Sequence, residues 1–221
     1  MDKKSILEKL SAEVEKKMSF EGSGHDWWHV YRVWKMAVHL AKEERADLFV
    51  VELGALLHDI ADYKFHGGDY SVGPRVARET MERLKVDEET IAKVCEIVEN
   101  ISFKGGVKKE TMKTLEGRIV QDADRLDAIG AMGIARVFAF GGSRNRPLHL
   151  PDQKPQTYKS KEEYIAAFHK NEGTSVNHFY EKLLLLKDRM NTRAAKRIAQ
   201  SRHEFMEEYL RRFYAEWEGK E

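Results

Sequence analysis

Apolar residues recur at intervals of three and four along almost the whole of this 221-residue chain, and that periodicity decides the fold class. Ile6, Leu10 and Val14 carry it near the start. Val30, Val33, Ala37 and Leu40 follow, then Val51, Ala55 and Leu56, and finally Ile198, Phe205, Tyr209, Phe213 and Trp217. Residues so spaced share one face of an α-helix. No stretch alternates apolar and polar residues between turn signals, and the long segments favour the stronger helix formers Ala, Leu, Glu, Lys and Arg. The pattern predicts an all-α fold with helices over 4–19, 26–44, 47–60, 70–84, 87–100, 110–138, 161–170, 174–190 and 192–218.

Two interruptions stand out, FHGGDYSVGP after the helix ending near Ile60 and GGSRNRPLHLPDQKPQTYKS over 141–160. Proline lacks an amide donor and fixes φ, so Pro147, Pro151 and Pro155 exclude a regular helix there and predict a long ordered loop or a lid. No repeat, low-complexity tract or linker divides the chain, and 42% hydrophobic residues suffice for one substantial core. The expectation is a single domain over 1–221, with its motifs within about 25–130 and a C-terminal helical portion completing it.

Lys and Arg total 38 against 37 for Asp and Glu, so no net field marks the whole surface for nucleic acid or an acidic membrane, and neither is an expected partner. The single cysteine, Cys95, falls in the helical series Ile91, Val94, Cys95, Val98 and cannot form an internal disulfide. The first twenty residues are charged and amphipathic, which points to a cytoplasmic protein. The last amphipathic helix, with Tyr209, Phe213 and Trp217, can pack internally or against a second subunit as a homodimer.

The chemistry concentrates in three segments. In LLHDIADY an apolar run bearing Leu53, Leu56, Leu57 and Ile60 abruptly carries His58, Asp59 and Asp62. Burying such groups without partners costs several kcal/mol, which a divalent cation relieves, because imidazole and carboxylate are both good ligands. GHDWWHVYRVWKMA adds His29, on the face of Val33 and Met36 and one turn from His25. QDADRLDAIGAMG adds Asp122, Asp124 and Asp127. A lone histidine among apolar neighbours is equally a hydrogen-bonded core residue, whereas adjacent His-Asp inside an apolar run is more specific.

The order His29, then His58-Asp59 about thirty residues on, then Asp124 about sixty-five further, resembles the HD superfamily of phosphohydrolases and phosphodiesterases. Ala123-Asp124-Arg125-Leu126 is similar to the context in which that superfamily places its last ligand, which favours Asp124 over Asp122 and Asp127. GHDWWHVYRV, the HD segment and DADRLDAIGAMGIAR further resemble the short bacterial HD hydrolases of the YpgQ type, over roughly residues 20–215. The resemblance implies a helical bundle around a central metal pocket with His29, His58, Asp59 and Asp124 as ligands. It also implies hydrolysis of phosphate bonds in nucleotides, with nucleoside triphosphates cut to monophosphate and pyrophosphate. Two-metal HD enzymes place extra histidines between the HD pair and the final aspartate. Here only His66 lies there, so one ion is expected, manganese first, with nickel, iron, cobalt, zinc and magnesium also suited to the donors.

Around that ligand set, Asp62 matches the acidic residue of the HD-x-x-E-D pattern and is the candidate general base, or else a solvated or ligand-orienting carboxylate. Arg32, one turn after His29, suits a phosphate with its bidentate fork, or forms an ordinary surface ion pair. Asp26 reads as an N-cap and His25 as a residue at the pocket mouth. Asp127 shares a face with Asp124 and can hold water, a substrate hydroxyl or His29. His178 and Lys182, one turn apart, and Arg144, Arg146 and His149 in the proline-bearing loop are candidate phosphate contacts, with packing or solvation as the alternative. Of Trp27, Trp28, Tyr31 and Trp34, one can stack on a base while the others pack. The same pocket would also serve a nucleotide monophosphatase or phosphodiesterase, or a non-catalytic nucleotide-sensing module.

Overall fold

The computed structural model describes residues 2–18, 26–61, 71–101, 112–158, 163, 166–167, 170 and 172–220. Every regular element among them is helical, as the periodicity requires. The chain divides into two compact units, residues 1–124 and 125–221, with one helix running through the boundary.

In the first unit, α1 (Lys3–Met18) turns Ile6, Leu10 and Val14 inward. Helix α2 (Trp27–Glu44) starts where the Asp26 side chain accepts the backbone N–H of His29, so Asp26 is the N-cap its position suggested. It ends at Arg45, whose φ of 58° leaves the helix. Asp47 caps α3 (Leu48–Leu57) through the N–H groups of Phe49 and Val50. Leu53, Leu56 and Leu57 on α3 are wholly buried, each worth roughly 1.5–3 kcal/mol. Helix α4 (Val72–Arg83) packs on α5 (Glu88–Asn100), which in turn packs on α3. Ile91, Val94 and Val98 form the buried face of α5. Cys95, beside them, is half-buried and its thiol reaches the Pro74 carbonyl at 3.6 Å.

Gly54 governs the approach of α3 to its neighbours. A methyl there would lie 3.3 Å from both the Ile97 side chain of α5 and the Val120 side chain of α6 (Leu115–Asp127). Such spacing is tighter than ordinary van der Waals contact, so the absent side chain lets the backbone of α3 lie close.

The helix expected over 110–138 is two helices. After α6 the amides of Ala128 and Ile129 bond back three residues, to Arg125 and Leu126, and α7 (Gly130–Ser143) begins at a glycine with φ of 74°. That left-handed residue cannot continue α6. Arg202 donates to the Leu126 carbonyl and Arg125 to the Arg189 carbonyl, satisfying backbone oxygens.

The helix expected over 174–190 is also shorter. Helix α8 (Ser175–Glu181) ends at Lys182 (φ −143°, ψ −56°), and two 3-10 turns follow at Leu183–Leu185 and Lys187–Arg189. Buried Leu183 and Leu186 stand three apart, matching the three residues per turn of that helix, while Leu185 is exposed. The segment 161–170 lies largely outside the described residues. Helix α9 (Arg193–Trp217) opens on Thr192, whose hydroxyl accepts the N–H of Ala195. Thr192→Ala is expected to cost about 1 kcal/mol in thermal unfolding, and Thr192→Ser to restore it. Equal stability of the two variants would mean the cap is inert.

The proline-bearing stretch is held down as a structured strap around α8. Ser175 and Val176 donate their amides to the carbonyls of Pro147 and Leu148, and the Asn177 amide group donates to Gln153 O. The Gln156 N–H donates to a Glu181 carboxylate oxygen.

Candidate metal centre

His29 stands in the first turn of α2, and its position along the helix is set by the Asp26 cap. His58 and Asp59 lie just past the end of α3, where the Ile60 N–H bonds to Leu57 O in a tight turn, rather than inside a helix reaching residue 60. Asp124 comes from α6, one turn after Val120. His58 likewise stands one turn after Gly54, so the close Gly54–Val120 approach recurs one turn later as the ligand cluster.

The donor atoms converge. The two imidazole Nε2 atoms are 3.2 Å apart. Asp59 Oδ2 lies 3.5 Å from His29 Nε2 and 3.7 Å from His58 Nε2, and Asp124 Oδ1 lies 3.5 Å from His29 Nε2. Separations of this size are what donors about 2.1 Å from one shared ion present to each other. Both imidazole side chains are almost wholly buried, whereas Asp59 and Asp124 are 19% and 35% exposed, so the cluster is closed on the histidine side and open on the carboxylate side.

The tautomer of His58 is fixed as metal binding needs. Its Nδ1 lies 2.7 Å from the Ala55 carbonyl, which can only accept, so Nδ1 carries the proton and the Nε2 lone pair faces the cluster. Two imidazoles and two carboxylates therefore fit a divalent cation. His29, His58 and Asp59 form the one group of three such donors within 4.8 Å among the described residues, with Asp124 adjoining through His29. Because an ion that binds only the folded chain stabilises it, chelation is expected to lower Tm by about 5–10 °C for sites filled at a hundred times Kd. A Tm indifferent to chelator and to added Mn2+ would rule out an ion at this cluster.

The remaining candidates fall in several places. Asp122, two residues before Asp124, is fully buried, which separates it from the half-exposed ligand position. Asp127 is buried in the second unit, where its Oδ2 accepts from Arg136 Nη1 at 2.7 Å. Arg32 is half-buried on α2 one turn after His29. His25, Asp62 and His66 lie outside the described residues.

Of the aromatic group, Trp27 is buried against Tyr31, and Trp34 donates its Nε1 proton to Glu52. Trp28, beside His29, is 59% exposed. Arg144 and Arg146 lie over the Phe140 ring, and His149 packs edge-on against Phe213, Tyr214 and Trp217. Burial, reinforced by the positive charges of Lys182 and Arg146, pushes His178 down to about 3, so it is neutral at physiological pH. Sequence reasoning passed over Ser175, whose buried hydroxyl has no hydrogen-bond partner among the described residues. Only its place beside Gly141 in space singles it out.

The family model for the HD domain matches residues 27–129, which contain all four clustered residues. YpgQ of Bacillus subtilis (strain 168) is 37% identical over 206 residues, covering 92% of this chain and 90% of YpgQ. The crystal structure of an HD-superfamily hydrolase from Bacillus thuringiensis aligns with a TM-score of 0.77 at 40% identity, covering 98% of this chain and 99% of that one. The crystal structure of B. subtilis YpgQ in complex with ADP aligns at 0.74 and 34% identity, covering 97% and 100%. No helix among the described residues is long and apolar enough to cross a membrane.

Proposed function

The chain belongs to the HD domain family and is an HD-type metal-dependent phosphohydrolase, and from that premise we propose that it hydrolyses (deoxy)nucleoside triphosphates to monophosphate and pyrophosphate. The observation that carries the reading is the convergence of His29, His58, Asp59 and Asp124 donors at 3.2–3.7 Å. The nucleotide class draws support from the relative YpgQ, whose structure holds ADP.

In this reading one divalent ion, manganese first, would lower the pKa of a water and draw charge from a phosphoryl oxygen. His58 keeps its lone pair toward the cluster because Ala55 O holds its other nitrogen protonated. Arg32 offers a bidentate fork to a phosphate oxygen pair, and Asp62 takes the proton of the attacking water. Trp28, the exposed member of its aromatic group, is the surface on which a base stacks, and His25 is a further candidate for substrate contact. Arg144, Arg146, His178 and Lys182 are the remaining basic candidates for phosphate contact.

Phosphorus NMR of the products tests the reading. Incubation of the Mn2+-loaded protein with each deoxynucleoside triphosphate is expected to yield pyrophosphate and monophosphate in equal amounts. Inorganic phosphate alone would overturn the pyrophosphate-releasing reading, and release from monophosphates only would replace it with a monophosphatase. No product with any divalent ion would favour a sensing module.

A further inference from the structure

We propose that Asp127 is a positioning residue for the metal centre: its buried pair with Arg136, together with the Arg202 bond to the carbonyl beside it, fixes the rotation of the last turn of α6 and with it the carboxylate that Asp124 offers to the ion. The proposal rests on the metal reading of the cluster and is independent of which nucleotide is cut.

Asp124 and Asp127 stand at i and i+3, one turn apart on the same face of α6, which ends at Asp127. That ending is an unfavourable place for a carboxylate. The last carbonyls of a helix carry partial negative charge, and Asp127 is only 5% exposed, so both the helix dipole and burial oppose its ionisation. Two arginines offset these costs. Arg136, from the second turn of α7, donates its Nη1 proton to Asp127 Oδ2 at 2.7 Å and is itself largely buried. Arg202 of α9 donates to the Leu126 carbonyl, and the Asp127 charge opposes the lowering of its pKa by burial. The Arg202 stem passes over Gly130, where a methyl would lie 2.9 Å from its Cγ and 3.0 Å from its Cβ, so the glycine that breaks the helix also admits this side chain to the end of α6.

A buried ion pair adds little net stability over an apolar pair of similar volume, and what it supplies instead is a single register. Register is what this place needs. Because α6 stops at Asp127, no further helical turn holds its end, and helix ends fray. Fraying of that turn would carry Asp124 with it, whereas donors sharing an ion must be held to within about 0.5 Å. His58 is held from Ala55 O, and the position of His29 is set by the Asp26 cap. Asp127 and its arginines give Asp124 the equivalent restraint, one turn further along α6.

The test measures, in the full-length protein, Mn2+ affinity by calorimetric titration, the visible absorption of the Co2+-loaded form, which reports ligand geometry, and the Tm of the chelated form. Asp127→Asn is expected to weaken Mn2+ binding about tenfold or more and to shift the Co2+ bands. Asp127→Asn/Arg136→Gln leaves neither charge unpaired, so its Tm recovers toward that of the parent chain while the loss of Mn2+ affinity remains. Thr192→Ala, which loosens the start of α9, serves as the control, lowering Tm with Mn2+ affinity and Co2+ bands unchanged. Parent-like affinity and Co2+ bands in both Asp127 variants would overturn the proposal, as would an affinity that recovers together with Tm in the double variant. Either of these results beside tight Mn2+ binding by the parent chain leaves the metal centre standing, whereas a parent chain that takes up no ion removes both.

Discussion

Asp59→Asn is expected to abolish phosphate hydrolysis and weaken divalent-ion binding at least about a hundredfold, while the helical circular dichroism persists. Loss of a residue that merely orients a metal ligand costs 10–100-fold in affinity, so removal of a ligand charge should cost no less. Asparagine has nearly the same shape, and the Asp59 side chain is 19% exposed on the open side of the cluster, so the fold has little reason to fail. Its Oδ2 is also the atom within 3.7 Å of both imidazoles, so its charge sits at the centre of the donor set. Calorimetric titration with Mn2+ beside a phosphate-release assay reads both effects. Full activity of Asp59→Asn in saturating metal would remove Asp59 from the site.

Gly54→Leu is expected to damage the same site from a distance. A methyl at this position already approaches Ile97 and Val120 at 3.3 Å, so the larger side chain must push α3 from α5 and α6, at a cost of about 1–3 kcal/mol. The displacement passes one turn along both helices to His58 and Asp124, and a metal cluster is sensitive to shifts of that order. Thermal unfolding should therefore fall together with metal affinity. Gly54→Ala is the control, because its gain in helix propensity of about 1 kcal/mol offsets a few tenths of an ångström of crowding. If Gly54→Leu matched the parent chain in both Tm and metal affinity, the close approach would have no part in building the site.

These two residues illustrate what could be read from the chain alone. Asp59 was legible because ionisable side chains inside an apolar run demand a partner, and that demand is local. Gly54 was not, because one glycine in a helical pattern shows reduced propensity without indicating which neighbour approaches. The choice of Asp124 over Asp122 came from the Ala-Asp-Arg-Leu context, and the structure separates the two by burial and by the 3.5 Å approach of Asp124 to His29. The break after α6 escaped the periodicity because Leu126, Ile129 and Val137 keep helical spacing across it. Only the left-handed Gly130 interrupts the backbone. The Asp127–Arg136 pair was hidden for the same reason, since the two come together only once the helix is broken. The 3-10 turns at 183–189 share i+3 spacing with an α-helix, which no residue pattern separates at that length.

The strap over 147–156 has a consequence for how the protein meets a protease. Three prolines and many exposed polar residues make it resemble a cleavage site in sequence, yet cleavage requires a segment to detach and extend. Here detachment would cost four hydrogen bonds to α8 at once. Nicking within the strap should therefore await cooperative opening of the second unit, and the amides of Ser175, Val176 and Gln156, which donate to these bonds, should exchange with deuterium at the pace of that opening.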